Sequence, residues 1–228
     1  MRTLGGLVRL LSVTLEDAGN GVVYSPLGVI GARAENLLHL DEEFFARQIA
    51  WEDPDLVVLA FGTNEASGAG VDETLHAARI GEVVDRIRRA TPGASILLVG
   101  PPDRGGDSDG SMATLAGITR AMQTTSALKQ TGFLDLRAAM GGSGTASRWA
   151  ETQPPLAQPD RTHFTPLGYQ RLATMIADKI AGSLPKTQAA PTSVITYTVR
   201  GVDGKLTYTT DPELVRKLLV QGGTLIGN

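Results

Sequence analysis

Short apolar runs that end in glycine alternate with longer stretches of helical periodicity along most of this chain, and that alternation narrows its possible folds more than any other feature. "PDLVVLAFGTNE" (Pro54 to Glu65) carries an unbroken apolar run after Asp55. A half-exposed strand alternates apolar and polar residues, so an unbroken run suits a central strand buried on both faces, as parallel sheets require. "ASILLVGPPD" (Ala94 to Asp103) and "GFLDLRAAMGG" (Gly132 to Gly142) supply two more strands, and "GVVYSPLGVIG" (Gly21 to Gly31) is read as the first. Between them, "VDETLHAARIGEVVDRIRRATPG" places Leu75, Ile80, Val83, Val84 and Ile87 at helical spacing and stops at Pro92-Gly93. "DGSMATLAGITRAMQTTSALKQTG" predicts a second helix ending at Gly132. A last helix is expected from Pro166, capped by Thr165, with Leu172, Met175, Ile176 and Ile180 following. The expected class is α/β, built from βα units around a parallel sheet.

The chain has 228 residues, enough for one such domain with a small addition. Residues 1–184 are read as that domain. The Pro, Ala and Thr of "PKTQAAPTS" mark a linker over 185–193. In 194–228, β-branched and aromatic residues flank Asp203-Gly204, a hairpin signal, and "DPELVRKLLVQGG" predicts a short helix capped by Asp211. This appendage is too small for a core of its own and is expected to pack on other protein.

Several function classes drop out. A formal net charge of -3, with no basic stripe, argues against nucleic acid as a partner. With no cysteine there is neither a disulfide nor a thiolate metal site. Arg9, Glu16 and Asp17 interrupt the opening "MRTLGGLVRLLSVTLEDAG", which reads as an amphipathic helix rather than a signal peptide. No run approaches the roughly 20 apolar residues of a membrane span, so no span is expected.

Chemistry in a parallel sheet gathers where loops leave the carboxyl ends of the strands. Three points of the sequence fall there. Gly62-Thr63-Asn64-Glu65 follows the most apolar strand, where a glycine permits close approach and an asparagine amide can donate to a developing oxyanion; ordinary turn chemistry explains the same residues. Gly31 stands where a strand passes into a helix, with a backbone N–H free to donate. Asp160 and His163 share one short loop, where a carboxylate can hold an imidazole in one tautomer for proton transfer. His39 and His76 fall in helical stretches and are expected to be solvated or partly packed, without a catalytic part.

Taken together, Gly31, the Gly62-x-Asn64 turn and Asp160-x-x-His163 resemble, in order and spacing over about Gly21 to Leu184, the blocks of the SGNH, or GDSL-type, hydrolase family. "FGTNEA", "LLVGPPD" and "DRTHFTPLGY" look most like bacterial esterases that deacetylate cell-envelope polysaccharide, peptidoglycan included. The resemblance implies a three-layer αβα, flavodoxin-like sheet and a serine esterase. His163 would be its general base and acid, Asp160 its orienter, and Gly31 and Asn64 its oxyanion donors, with Gly62 supporting the turn. It implies no metal and no organic cofactor, a small-molecule or polysaccharide ester as substrate, and a periplasmic or secreted full-length protein. It says nothing of oligomeric state.

One block has no counterpart. The family carries a Gly-Asp-Ser nucleophile on the first strand, ahead of the Gly block, and this chain opens instead on its amphipathic stretch. Ser12, Ser25 and Ser95 fall within elements or at an amino end, and Ser67 is the nearest substitute by position. The resemblance therefore implies a member truncated at its amino end. Its sheet would lack the first strand, the strands on either side would keep unpaired edges, and no residue of this chain would be the nucleophile. Little or no ester hydrolysis is expected of it as it stands. The alternatives are a non-catalytic carbohydrate-binding or scaffold module of the same fold, and a nucleotide or flavin binder. The turns at Gly31 and Gly62 lack the glycine-rich phosphate cradle that the last would need.

Overall fold

The computed structural model describes residues 19, 21–67, 70–105, 109–183, 197–200, 202, 203, 205–209, 214, 217, 218, 221 and 224–227. It divides into two units, Met1–Ala181 and Gly182–Asn228.

The first unit is α/β. Strands β1 (Leu56–Ala60), β2 (Ser95–Val99) and β3 (Gly132–Leu134) form a parallel sheet in that order. Val58 lies opposite Leu97 in the β1–β2 ladder, and Leu98 opposite Phe133 in the β2–β3 ladder. Helices α2 (Glu73–Ala90) and α3 (Asp109–Lys129) are the crossovers. Asp72 caps α2 by accepting the Leu75 N–H at 3.0 Å, and the helix ends just ahead of Pro92-Gly93.

Side chains alternate across β2, so the strand feeds two cores. Ile96 and Leu98 join Leu59, Ile80, Val83, Val84, Ile87, Leu115, Ile118 and Met122 on the face covered by α2 and α3. Leu97 and Val99 join Leu136, Met140, Trp149, Phe164 and Leu172 on the other. That second layer comprises α4 (Leu136–Met140), α5 (Thr145–Ala150) and α6 (Pro166–Ser183). The result is three layers, αβα, as the resemblance implies. Thr165 caps α6 as expected: its Oγ1 accepts the Gly168 N–H at 3.2 Å and donates to the Pro155 carbonyl at 2.8 Å. No helix among the described residues is long and apolar enough to cross a membrane.

Two expectations fail here. Residues 21–31 are not a strand; they run without regular structure, and Val22, Tyr24, Val29 and Ile30 face solvent. The run is apolar enough for a strand, but no neighbour among the described residues offers it a ladder. For the same reason β1 is an edge rather than a central strand: it pairs only with β2 among the described residues, and Val58 is 40% exposed. Helix α1 (Glu42–Glu52), capped by Asp41 at 2.8 Å from the Phe44 N–H, adds Phe45 and Ile49 to the first core, an element the sequence reading does not anticipate.

The second unit holds the predicted hairpin, β4 (Tyr197–Arg200) against β5 (Leu206–Thr209). At its turn Asp203 accepts the Lys205 N–H at 3.0 Å. An unanticipated strand, β6 (Thr224–Gly227), pairs antiparallel with the other edge of β4. Leu214, Lys217 and Leu218 are helical, while the rest of the predicted final helix, the linker and the amphipathic opening lie outside the described residues.

The two buried faces of β2 and the exposure of Val58 on β1 predict contrasting costs. Leu98→Ala, in a fully buried site, should lower unfolding free energy by about 2–5 kcal/mol. Val58→Ala, on the exposed edge, should cost no more than about 1 kcal/mol. Urea unfolding of the two variants checks the difference.

Candidate active site

Loops from the carboxyl ends of β1 and β2 meet the Asp160–His163 loop through a chain of short contacts. The first loop turns sharply. Gly62 has φ +120, and a Cβ there would sit 2.8 Å from the Pro101 ring and 2.9 Å from Ile118, so only glycine fits. Glu65 is buried, and its carboxylate accepts the Gly62 N–H at 3.0 Å and the Ala34 N–H at 2.8 Å. A carboxylate satisfied by two backbone donors tolerates burial. It also ties the Gly62–Asn64 turn to the segment after Gly31.

Asn64 reinforces that tie, since its Nδ2 donates to the Ala32 carbonyl at 2.8 Å. An amide nitrogen carries two hydrogens, so the second remains for another acceptor. Gly31 occupies a tight turn closed by the Ala32 N–H on the Val29 carbonyl at 3.1 Å, with φ +75. The structure thus brings the Gly31 turn and Asn64 together.

Asp160 and His163 sit on the segment between α5 and α6. The Asp160 side chain works as a turn-former: Oδ1 accepts the Thr162 N–H at 2.9 Å and the His163 N–H at 3.0 Å. Oδ2 lies 2.6 Å from His163 Nδ1. A carboxylate only accepts, so Nδ1 carries the proton and Nε2 is the ring's basic nitrogen. The His163 ring bond, then the His163 and Thr162 N–H groups, hold the Asp160 carboxyl at about 2, below its ordinary 3.8. Both side chains are more than half exposed, as a site open to substrate allows.

Arg104 links the halves. Its Nη1 donates to Ser67 Oγ at 3.2 Å on the β1 side, and its neighbour Gly105 donates its N–H to the Arg161 carbonyl at 2.7 Å in the Asp160–His163 loop. Ser67 itself is committed to the Thr63 carbonyl at 3.3 Å as well as to Arg104.

Of the other histidines, His39 is exposed at the end of the 3-10 turn Ala34–Leu38. His76 is buried in α2 rather than solvated; burial lowers its pKa, the Glu65 charge opposing, and the ring stays neutral. Block order passes over two features. Glu65 looks like a turn residue in the sequence, and its clamp appears only when Ala34 is folded against it. A Gly-Asp-Ser tripeptide also occurs at Gly106-Asp107-Ser108, after rather than before the other blocks, and it lies outside the described residues.

Comparison with known proteins places this geometry in context. The model of the GDSL-like lipase/acylhydrolase family matches residues 2–171. The solved structure of a peptidoglycan O-acetylesterase is 27% identical with a TM-score of 0.60, the match covering 67% of this chain and 44% of that one. The chain therefore spans less than half of that protein's length. A lipase/acylhydrolase from Enterococcus faecalis is 23% identical, with a TM-score of 0.51 and coverage of 70% and 75%. A mutant acetylxylan esterase from Geobacillus stearothermophilus is 17% identical, also at 0.51, with coverage of 70% and 72%. These last two likenesses are of fold. A search of the curated proteins finds no match.

Because the folded state lowers the Asp160 pKa, the charged carboxylate favours folding. That contribution is complete above 3.8 and disappears as pH falls towards about 2. Asp160→Asn should therefore be less stable than the parent by a constant margin at neutral pH, and the margin should close between those two values. Urea unfolding as a function of pH measures it.

Proposed function

The chain belongs to the GDSL-like lipase/acylhydrolase family, and from that premise we propose that it carries the acid–base and oxyanion half of a serine esterase acting on O-acetyl groups of carbohydrate, with cell-wall polysaccharide as the substrate class. The Asp160–His163 pair, 2.6 Å apart at Oδ2 and Nδ1, is the observation that carries this reading. The likeness to a peptidoglycan O-acetylesterase supports the substrate.

In the proposed reaction a serine hydroxyl attacks the acetyl carbonyl while His163 Nε2 takes its proton. Asp160 keeps the ring in the required tautomer and stabilises the imidazolium. The Gly31 N–H and the second Nδ2 hydrogen of Asn64 receive the oxyanion, together with the serine's own N–H. Collapse breaks the ester C–O bond, and His163 returns its proton to the sugar oxygen. Water then attacks the acetyl-enzyme through the same base, releasing acetate and freeing the serine.

The nucleophile is read as coming from a strand outside this chain's own elements. Ser67 is hydrogen-bonded into the Thr63 turn, and the edge of β1 that no described residue pairs with is where one more parallel strand would fit. The chain alone is accordingly read as inactive. The C-terminal unit is read as an appendage to this hydrolase domain.

Hydrolysis assays test the reading. The chain by itself should leave an aryl acetate and O-acetylated peptidoglycan at background rates. Fusion of a Gly-Asp-Ser-bearing strand ahead of Met1 should produce turnover on both, and His163→Ala should reduce it by roughly 10⁴-fold or more. A fused protein that binds the polysaccharide but never cleaves it would favour a binding module instead. Efficient hydrolysis by the unfused chain would contradict the missing nucleophile.

A further inference from the structure

An imidazole is useful as a base only while its ring is held, and the Asp160–His163 pair sits on a solvent-facing loop with both side chains more than half exposed. Phe164, packed edge-on against Trp149 and Tyr169, holds one end of the loop, and backbone contacts hold the rest. On one flank the Gln158 N–H reaches the His163 carbonyl at 2.8 Å and the Arg161 N–H the Gln158 carbonyl at 2.9 Å, with Ala157 bridged to Phe164 behind them. These bonds close the loop on itself. Among the described residues, the backbone bond that ties it to the strand ends is the 2.7 Å contact from the Gly105 N–H to the Arg161 carbonyl.

Gly105 reaches that contact because it has no side chain. A Cβ there would stand 2.6 Å from Arg161 Cβ, 2.8 Å from Arg161 Cδ and 2.9 Å from Ser147 Oγ. The serine hydroxyl can rotate away, but Arg161 Cβ is fixed to the backbone. Arg161 is itself held at φ 55, a left-handed conformation that a non-glycine residue rarely adopts. Two residues before Gly105, the wholly buried Asp103 anchors the loop: its carboxylate accepts Arg137 Nε at 3.1 Å and the Ala146 N–H at 2.9 Å.

We infer that Gly105 is a positioning residue for the acid–base pair, seating the Asp160–His163 turn against the end of β2 through its N–H and through the space its missing Cβ leaves for Arg161. The inference rests on the reading of Asp160 and His163 given above. Gly105 touches no substrate; it acts through Arg161, whose φ and carbonyl direction set the turn in which Asp160 holds the ring. The low Asp160 pKa is a consequence of that same turn.

The test uses the full chain with ¹⁵N-labelled histidine, His163 being assigned by loss of its signals in His163→Gln. In the parent, ring correlations should show a single neutral tautomer with the proton on Nδ1, and the Asp160 carboxyl should titrate near 2. Gly105→Ala is conformationally permitted, since the glycine is not in the left-handed region, so its effect is steric. It should mix the tautomers and move the Asp160 midpoint towards 3.8. Gly105→Ala with Arg161→Gly removes the colliding Cβ and supplies a residue that favours positive φ; the parent signature should return. A Gly105→Ala protein that keeps the parent signature overturns the inference, as does a folded double variant that fails to regain it. If Gly105→Ala alone does not fold, the double variant decides. A parent lacking the Nδ1-protonated tautomer would instead refute the reading of the pair itself.

Discussion

Burial of β2 on both faces is the constraint from which the rest of the first unit follows. With Ile96 and Leu98 turned to one core and Leu97 and Val99 to the other, the strand is stable only if helices cover both sides. That requirement sends α2 and α3 to one layer and α4, α5 and α6 to the other. It also fixes where chemistry can occur. Side chains inside the layers are packed against one another, so polar groups able to meet a substrate are confined to the loops at the carboxyl edge.

Ala66 and Phe164 root those loops in the two cores, and buried or ordered carboxylates fix their turns. Glu65 is the clearest case, a buried carboxylate spent on the N–H groups of Gly62 and Ala34, 31 residues apart from the latter in sequence. Asp103 does the same for the start of α5 with Ala146 and Arg137. Asp160 differs because it is exposed. Its two oxygens divide the tasks, one shaping the backbone of the turn and the other orienting the imidazole. Acids of one chemical type thus serve as clamp, anchor and orienter according to burial and to what each accepts from.

The sequence made legible whatever depends on local pattern. The runs before Gly62 and Gly100 became β1 and β2, and Asp72 and Thr165 capped the helices they precede. The order of Gly31, Asn64 and Asp160-x-x-His163 pointed to the family. What stayed hidden depends on a neighbour. Residues 21–31 have the composition of a strand, yet a strand needs a ladder, and β1 has the same composition while lying at an edge among the described residues. Strand β6 is four residues long and gains its identity from β4. The reasons for Glu65 and Gly105 could not be seen because Ala34 and Arg161 come beside them only in the folded chain.

In the proposed function His163 is a base with no activated serine of this chain beside it. Treating the folded chain with a fluorophosphonate, followed by intact-mass measurement and peptide mapping, examines it directly, because such reagents mark a serine only where a base has activated it. No stoichiometric adduct is expected. A single adduct on Ser67, Ser108 or any other serine of this chain, lost when His163 is replaced by alanine, would contradict it and place the nucleophile within the sequence already in hand.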